Sequence, residues 1–156
     1  MAQTGRTRRV YVDSSVWIAL LAHEPSAADL LTWLQAEQGQ LMTAMWTRTE
    51  LASALSVKVR RGELNAAKFT ELLKCFDEWI VSDVQLLPVD NADFQRAANL
   101  CADSGSRLRA GDALHLTVAQ RCQASHMASL DRDLLGNALK SGLQDPLVYE
   151  TSKPSR

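Results

Sequence analysis

Four acidic residues stand where a sheet-based fold would gather them. Asp13 directly follows a short apolar run, Glu50 lies about one turn into the helical segment after a second such run, Asp112 opens a later helix after Gly111, and Asp131 directly follows another apolar run. Open parallel sheets bind ligands in the crevice outside the carboxyl ends of their strands, so these side chains are expected to converge there. Carboxylates packed together repel one another and raise each other's pKa, which is hard to explain as stabilisation. A divalent cation resolves the repulsion. Oxygen ligands with no cysteine or histidine pair beside them suit Mg²⁺ or Mn²⁺ rather than zinc, and Mg²⁺ commonly shares its site with substrate phosphates. The chemistry implied is phosphodiester hydrolysis by a water that the metal activates. Each residue also has a plainer role: Asp131 suits a helix cap, Asp112 a helix N-terminus, Asp13 a turn, and Glu50 a solvated helix face. The conjunction of the four favours the site.

Other residues sit close enough in sequence to assist. Ser15 is placed either to hydrogen-bond a catalytic carboxylate or metal-bound water, or to cap a helix starting near Val16. Arg109, three residues before Asp112, suits a scissile phosphate through its guanidinium fork, or a surface ion pair. His115, one turn beyond Asp112 on a largely apolar helix, reads first as a satisfied core residue and second as a ligand or base. Lys58, Arg60 and Arg61 form a basic run at a helix end, and Arg6, Arg8 and Arg9 form a basic arm; both suit RNA contact or plain solvation. Trp17, Trp33 and Trp79 read as core or interface residues, and Trp46, close before Glu50, as a candidate for base stacking.

The elements that must position these residues follow from a periodicity that switches repeatedly between two patterns. Val10–Val12 and Leu41–Met45 read as buried strands; Leu86–Val89 and Met127–Leu130 are weaker candidates, Pro88 marking an edge or strand end, and Val148-Tyr149 is a candidate fifth strand. Between them, helical spacing links Ala27, Leu30, Leu31 and Leu34; Leu51, Leu55 and Val59, closed by Gly62; and Phe69, Leu72, Leu73, Phe76, Trp79 and Ile80. Phe94, Ala97, Ala98 and Cys101 form a further stripe, Leu114, Val118 and Cys122 another, and Leu134, Leu135, Ala138 and Leu139 a last one, stopped by Gly142. Asn65, Asn91 and Asp131 stand at expected N-caps. Strands joined through whole helices favour parallel pairing, so the expected fold is α/β, a three-layer α/β/α sandwich around a mostly parallel sheet of four or five strands.

Composition bounds the rest. At 156 residues the chain reads as a single domain, 1–156, with an ordered core about 8–150. Its 46% hydrophobic and 22% charged residues exclude the disordered class and give no apolar run long enough for a membrane helix. A formal net charge of −1 means that any nucleic-acid contact is local rather than field-driven. Cys75, Cys101 and Cys122 are widely spaced, without a Cys-x-x-Cys pair, and read as small buried apolar residues in a reducing cytoplasm.

At the acidic blocks the sequence resembles the PIN-domain family, and within it the small bacterial ribonuclease toxins of type II toxin-antitoxin modules. The likeness is carried by Val10-Tyr11-Val12-Asp13-Ser14-Ser15, Thr47-Arg48-Thr49-Glu50-Leu51, the stretch Leu108–Leu116 around Gly111-Asp112, and Ala128–Leu134 around Asp131, and it spans about Arg8 to Val148. The resemblance implies a metal-dependent endoribonuclease in which Asp13, Glu50, Asp112 and Asp131 bind Mg²⁺ or Mn²⁺, with Ser15 supporting. It also implies an RNA substrate, a homodimer, and a small antitoxin whose C-terminal segment covers the active-site groove. Ser14 stands where the family commonly has threonine, and Asp133 competes with Asp131 for the fourth acidic role. Two other readings stay open: the same fold acting on DNA, and a non-catalytic module binding a metal or accepting a phosphoryl group.

Overall fold

A computed structural model describes residues 8–147. Its strands are β1 (Arg9–Val12), β2 (Gln40–Ala44), β3 (Val84–Leu87) and β4 (His126–Ala128). The helices are α1 (Ser14–Leu21), α2 (Ala27–Ala36), α3 (Met45–Arg60), α4 (Ala66–Asp83), α5 (Asn91–Ala102), α6 (Ala110–Arg121) and α7 (Arg132–Lys140), with a 3₁₀ turn at Ser104–Ser106. The strands form one sheet in the order β3-β2-β1-β4, every neighbouring pair parallel. Two helices follow each of the first three strands; only after β1 does the spacing suggest one, because the stripe of α1 is too short to stand out.

β1 is the hinge of the topology. Val10 pairs with Leu41 on one side and with His126 on the other, so the chain's first strand is flanked by its second and its last. The strand is apolar throughout because both of its faces are covered. Val10 and Val12 enter the layer built with Trp17, Leu30, Leu51, Leu55 and Phe76, whereas Tyr11 enters the opposite layer with Met42, Ala97, Leu114, Val118 and Leu134. Helices α1, α2, α3 and α4 thus cover one face, and α5, α6 and α7 the other. Trp17 anchors the first layer, its ring 5.7 Å from both Phe76 and Trp79. The α/β/α sandwich expected from the alternation is the fold observed.

Several boundaries differ. β3 ends at Leu87, before Pro88, and starts two residues earlier than expected, because Val84 rather than Val89 pairs in the ladder, opposite Leu41. Met45 begins α3 rather than ending β2, and Leu130 lies beyond β4. Asp90, not Asn91, precedes α5 as its cap; its N–H donates to Asp93 Oδ2 at 2.9 Å. Phe94 and Leu139, placed on apolar stripes by spacing, are 51% and 48% exposed. The three cysteines are free and half-buried rather than fully buried. Gly62 and Gly142 do end helices, at φ of 74° and 92°. The candidate strand at Val148-Tyr149 lies outside the described residues; within them, Gln144 adds a single parallel bridge beside His126. No helix among the described residues is long and apolar enough to cross a membrane.

Candidate active site

Three helices, α1, α3 and α7, start directly from the carboxyl ends of β1, β2 and β4, and α6 presents its first turn there because its other end leads into the start of β4. Four helix N-termini therefore face one rim of the sheet, a setting whose partial positive charge favours acidic side chains. Asp13 caps α1 from its first position past β1, and its own N–H donates to Ala128 O at 3.1 Å, tying it to β4. Thr43 completes the seam by donating its hydroxyl to Val12 O at 2.7 Å and meeting Thr47 at 2.7 Å, which sets the start of α3 against the end of β1.

Asp13 is 2% exposed and accepts from three groups. Ser15 gives both its N–H, at 2.9 Å, and its hydroxyl to Oδ1, and Ser129 gives its hydroxyl to Oδ2 at 2.6 Å. Burial nonetheless pushes this carboxyl above its ordinary value, nearby His115 and then the serine hydrogen bonds offsetting only part of the cost. Ser15 thus serves the carboxylate, and its hydroxyl also receives Leu130 N at 2.9 Å, so it pins the loop after β4 to the turn after β1.

Glu50 is held from two sides. Ser14 Oγ donates to its Oε2 at 2.6 Å, and His115 Nε2 stands 2.6 Å from the same oxygen. Burial raises this carboxyl, but hydrogen bonds from His115 and Ser14 outweigh it and leave the group below its ordinary value. The indole Nε1 of Trp46 faces the same carboxylate and helps to lower it, although it does not meet hydrogen-bond geometry. Across from them, a side chain on Gly111 would overlap Glu50 Oε1 and crowd Trp46 Nε1 at 3.1 Å, so only glycine lets α6 approach this closely.

Asp112 sits half-buried at the start of α6, its Oδ2 accepting Arg109 N at 3.1 Å. Its carboxyl is raised, first by burial and then by the charges of Asp131, Asp13 and Glu50, against the backbone hydrogen bond from Arg109. The structure therefore brings the four expected carboxylates within electrostatic reach of one another at the carboxyl ends of β1, β2 and β4. Asp131 spends Oδ1 on capping α7 through Leu134 N at 2.8 Å. Asp133 instead faces Arg107, 3.6 Å away at the surface. The Arg109 side chain is exposed and pairs with no carboxylate among the described residues; it is its backbone, not its guanidinium, that meets Asp112.

The basic clusters lie elsewhere. Lys58 stands 3.4 Å from Glu63 and Arg60 donates to Ser56, at the far end of a 16-residue helix and so roughly 20 Å from its start. Arg8 pairs with Glu37 at the amino end of β1, the opposite rim of the sheet, and Arg6 lies outside the described residues. Trp46 alone of the four tryptophans reaches the carboxylates.

No three of the histidine, cysteine, aspartate and glutamate side chains among the described residues stand close enough together to cage an ion directly. The donors are oxygens, Asp112 is raised by its neighbours' charge, and helix N-termini surround them; this suits a hard cation that keeps much of its own water and takes only one or two carboxylates at first hand. Mg²⁺ and Mn²⁺ fit that description and zinc does not.

The fold and this rim of acids place the protein in a known class. A model of the PIN domain matches residues 10–138, and the chain belongs to that family. Ribonuclease VapC47 of Mycobacterium tuberculosis (strain CDC 1551 / Oshkosh) is 25% identical over 148 residues, covering 93% of this chain and 96% of its own. Among solved structures, Mycobacterium tuberculosis VapC20, described as a sarcin-ricin loop cleaving toxin, superposes with a TM-score of 0.67 at 15% identity, over 82% of this chain and 94% of that one. FitAB bound to an IR36 DNA fragment gives 0.64 at 16% identity, over 92% and 99%. These likenesses show the fold.

Sequence reasoning missed Ser129, Gly111 and Thr43, and read His115 as core without its link to Glu50. Ser129 and Gly111 each neighbour or nearly neighbour a named acid, so adjacency was a usable signal. The partner of each lies 116 or 61 residues away and was not.

Proposed function

We propose that this protein is a Mg²⁺- or Mn²⁺-dependent endoribonuclease toxin of a type II toxin-antitoxin module. The observation that carries this reading is the convergence of Asp13, Glu50, Asp112 and Asp131 on one rim, where Asp112 feels the charge of the other three. The ribonuclease and toxin names of VapC47 and VapC20 support the substrate and the biological role. A divalent cation held there would lower the pKa of an attacking water and offset charge on the scissile phosphate.

The chain's own residues prepare that chemistry. Ser15 and Ser129 fix both oxygens of Asp13, so its orientation costs nothing when substrate arrives. Ser14 and His115 do the same for Oε2 of Glu50. Asp112 and Asp131 complete the negative rim that recruits the cation, and Arg109, exposed beside Asp112 and without a carboxylate partner among the described residues, reaches for a phosphate oxygen. Trp46 lines the same approach and offers a face to a base. Asp133 takes no first-hand part. A small antitoxin covering this groove and a homodimer in the cytoplasm complete the reading; FitAB, in complex with DNA, is the structural neighbour that points toward such assemblies.

Incubating antitoxin-free protein with total RNA and tRNA in Mg²⁺, Mn²⁺ or EDTA, beside Asp112→Asn, tests the reading. Discrete fragments that need metal and vanish in the variant are expected. Metal-independent cleavage, cleavage by Asp112→Asn, or preference for single-stranded DNA would overturn it.

A further inference from the structure

The described residues contain a buried chain of three polar groups running from the core to the acidic rim. Ala44 N donates to the Tyr11 hydroxyl at 3.2 Å, Tyr11 Oη stands 2.7 Å from His115 Nδ1, and His115 Nε2 stands 2.6 Å from Glu50 Oε2. Tyr11 and His115 are 0% and 1% exposed, so bulk water takes no part. The direction of each bond follows by elimination. A phenol has one proton, and since its oxygen already accepts from Ala44, that proton has His115 Nδ1 as its only acceptor at hand. Nδ1 is then bare, and in the neutral ring the hydrogen sits on Nε2, aimed at Glu50. The opposite tautomer would set a lone pair against a carboxylate oxygen and orphan a buried phenol proton, a costly arrangement. A doubly protonated ring orphans the same proton.

We propose that Tyr11 and His115 are positioning residues: Tyr11 locks the His115 ring as its Nε2–H tautomer, and that hydrogen, with the Ser14 hydroxyl, occupies Glu50 Oε2 and turns Oε1 toward the first turn of α6, where Asp112 begins the acidic rim. The glycine at 111 belongs to the same device, because Oε1 takes the space its side chain would fill. The inference rests on Glu50 serving the metal site. It adds a reason for a histidine one turn after Asp112 that neither ligation nor base catalysis supplies.

Proton–nitrogen correlation spectra of the histidine rings in isotope-labelled, metal-free full chain test the lock directly. The His115 signal is identified as the one absent from His115→Gln. A bare Nδ1 with a protonated Nε2 is expected, whereas a protonated Nδ1, in either the neutral or the charged ring, would overturn the proposal. Binding of Mn²⁺ alone gives the second readout. Asparagine at 115 is too short to reach Glu50, and glutamine carries an amide N–H near the place of Nε2. His115→Asn should weaken Mn²⁺ binding about ten- to a hundredfold, the scale of losing a partner behind a metal ligand, and His115→Gln should recover most of that loss. Equal affinities in the two variants would refute the positioning role. If wild type cleaves no RNA while the tautomer and the Asn/Gln split stand, the nuclease reading fails and this one survives. The reverse pattern fails only the lock.

Discussion

At the scale of single residues, the pocket works by fixing charge before any ligand arrives. Asp13→Asn keeps the cap of α1, since asparagine caps as well as aspartate, yet it removes a charge from the rim. It should therefore lower RNA cleavage by more than about a hundredfold, beyond the loss of an outer hydrogen-bond partner, with little change in melting temperature. Gly111→Ala should separate stability from function in the same way. Alanine gains helix propensity, about 1 kcal/mol over glycine, but its methyl displaces Glu50 Oε1; weaker Mn²⁺ binding without a lower melting temperature is the expected result. The raised carboxyl of Asp112 also sets a pH response. Burial and the neighbouring acids keep its proton on in the folded chain at pH values where the unfolded chain has released it. Stability without metal therefore falls as pH rises from about 4 toward the raised value. Glu50, shifted the other way, acts only below its ordinary value and stays out of this window. Lowering the pH from neutral toward the ordinary carboxylate range should stabilise wild type more than Asp112→Asn, as thermal melts would show, and parallel responses would contradict it. The places of Asp13 and Asp131 past strand ends were legible because each follows an apolar run, whereas Asp112 reaches the same rim only because α6 leads into β4. His115 was half legible: its burial follows from the helix pattern, but its bond to Glu50 joins residues 65 apart and leaves no trace in local spacing.

At the scale of elements, α5 and α6 are clamped by an ion pair that composition conceals. Asp93 is fully buried and accepts Arg121 Nε at 2.9 Å and Nη2 at 2.8 Å, while Arg121 Nη2 also donates to Pro88 O at 2.7 Å. Burial raises the Asp93 carboxyl, but the Arg121 hydrogen bonds carry it below its ordinary value. Removing Asp93 leaves the partly exposed Arg121 without its charged partner, so Asp93→Ala should cost about 1.5–3 kcal/mol in urea unfolding. Loosening α6 should in turn shift Gly111 and Asp112 and lower cleavage as well. Helical stripes were read correctly wherever a helix buries one wide face, as in α4, but Phe94 and Leu139 show the limit. An apolar residue at the margin of a stripe is buried only if a neighbouring element reaches it. β3 lies two residues before its expected place because its buried residues, Val84 and Leu87, flank the more open Gln85 and Leu86, so the apolar run Leu86–Val89 misleads.

At the scale of the whole molecule, the alternation of strands and helices foretold the parallel α/β/α sandwich, but not that β4 lies beside β1, a pairing of residues 116 apart. Metal should stabilise this arrangement by mass action. At a hundredfold excess over its dissociation constant, Mn²⁺ should add about 2.7 kcal/mol, a rise in melting temperature that Asp13→Asn should abolish. The strand order has one more effect, on the timing of the protein's own synthesis. Asp13 emerges from the ribosome 116 residues ahead of Ser129, whose hydroxyl donates to its carboxylate. On the proposed function, a nascent chain still lacking β4 lacks both the Ser129 hydrogen bond to Asp13 and the Asp131 carboxylate, so RNA cleavage should begin only after that strand has been made.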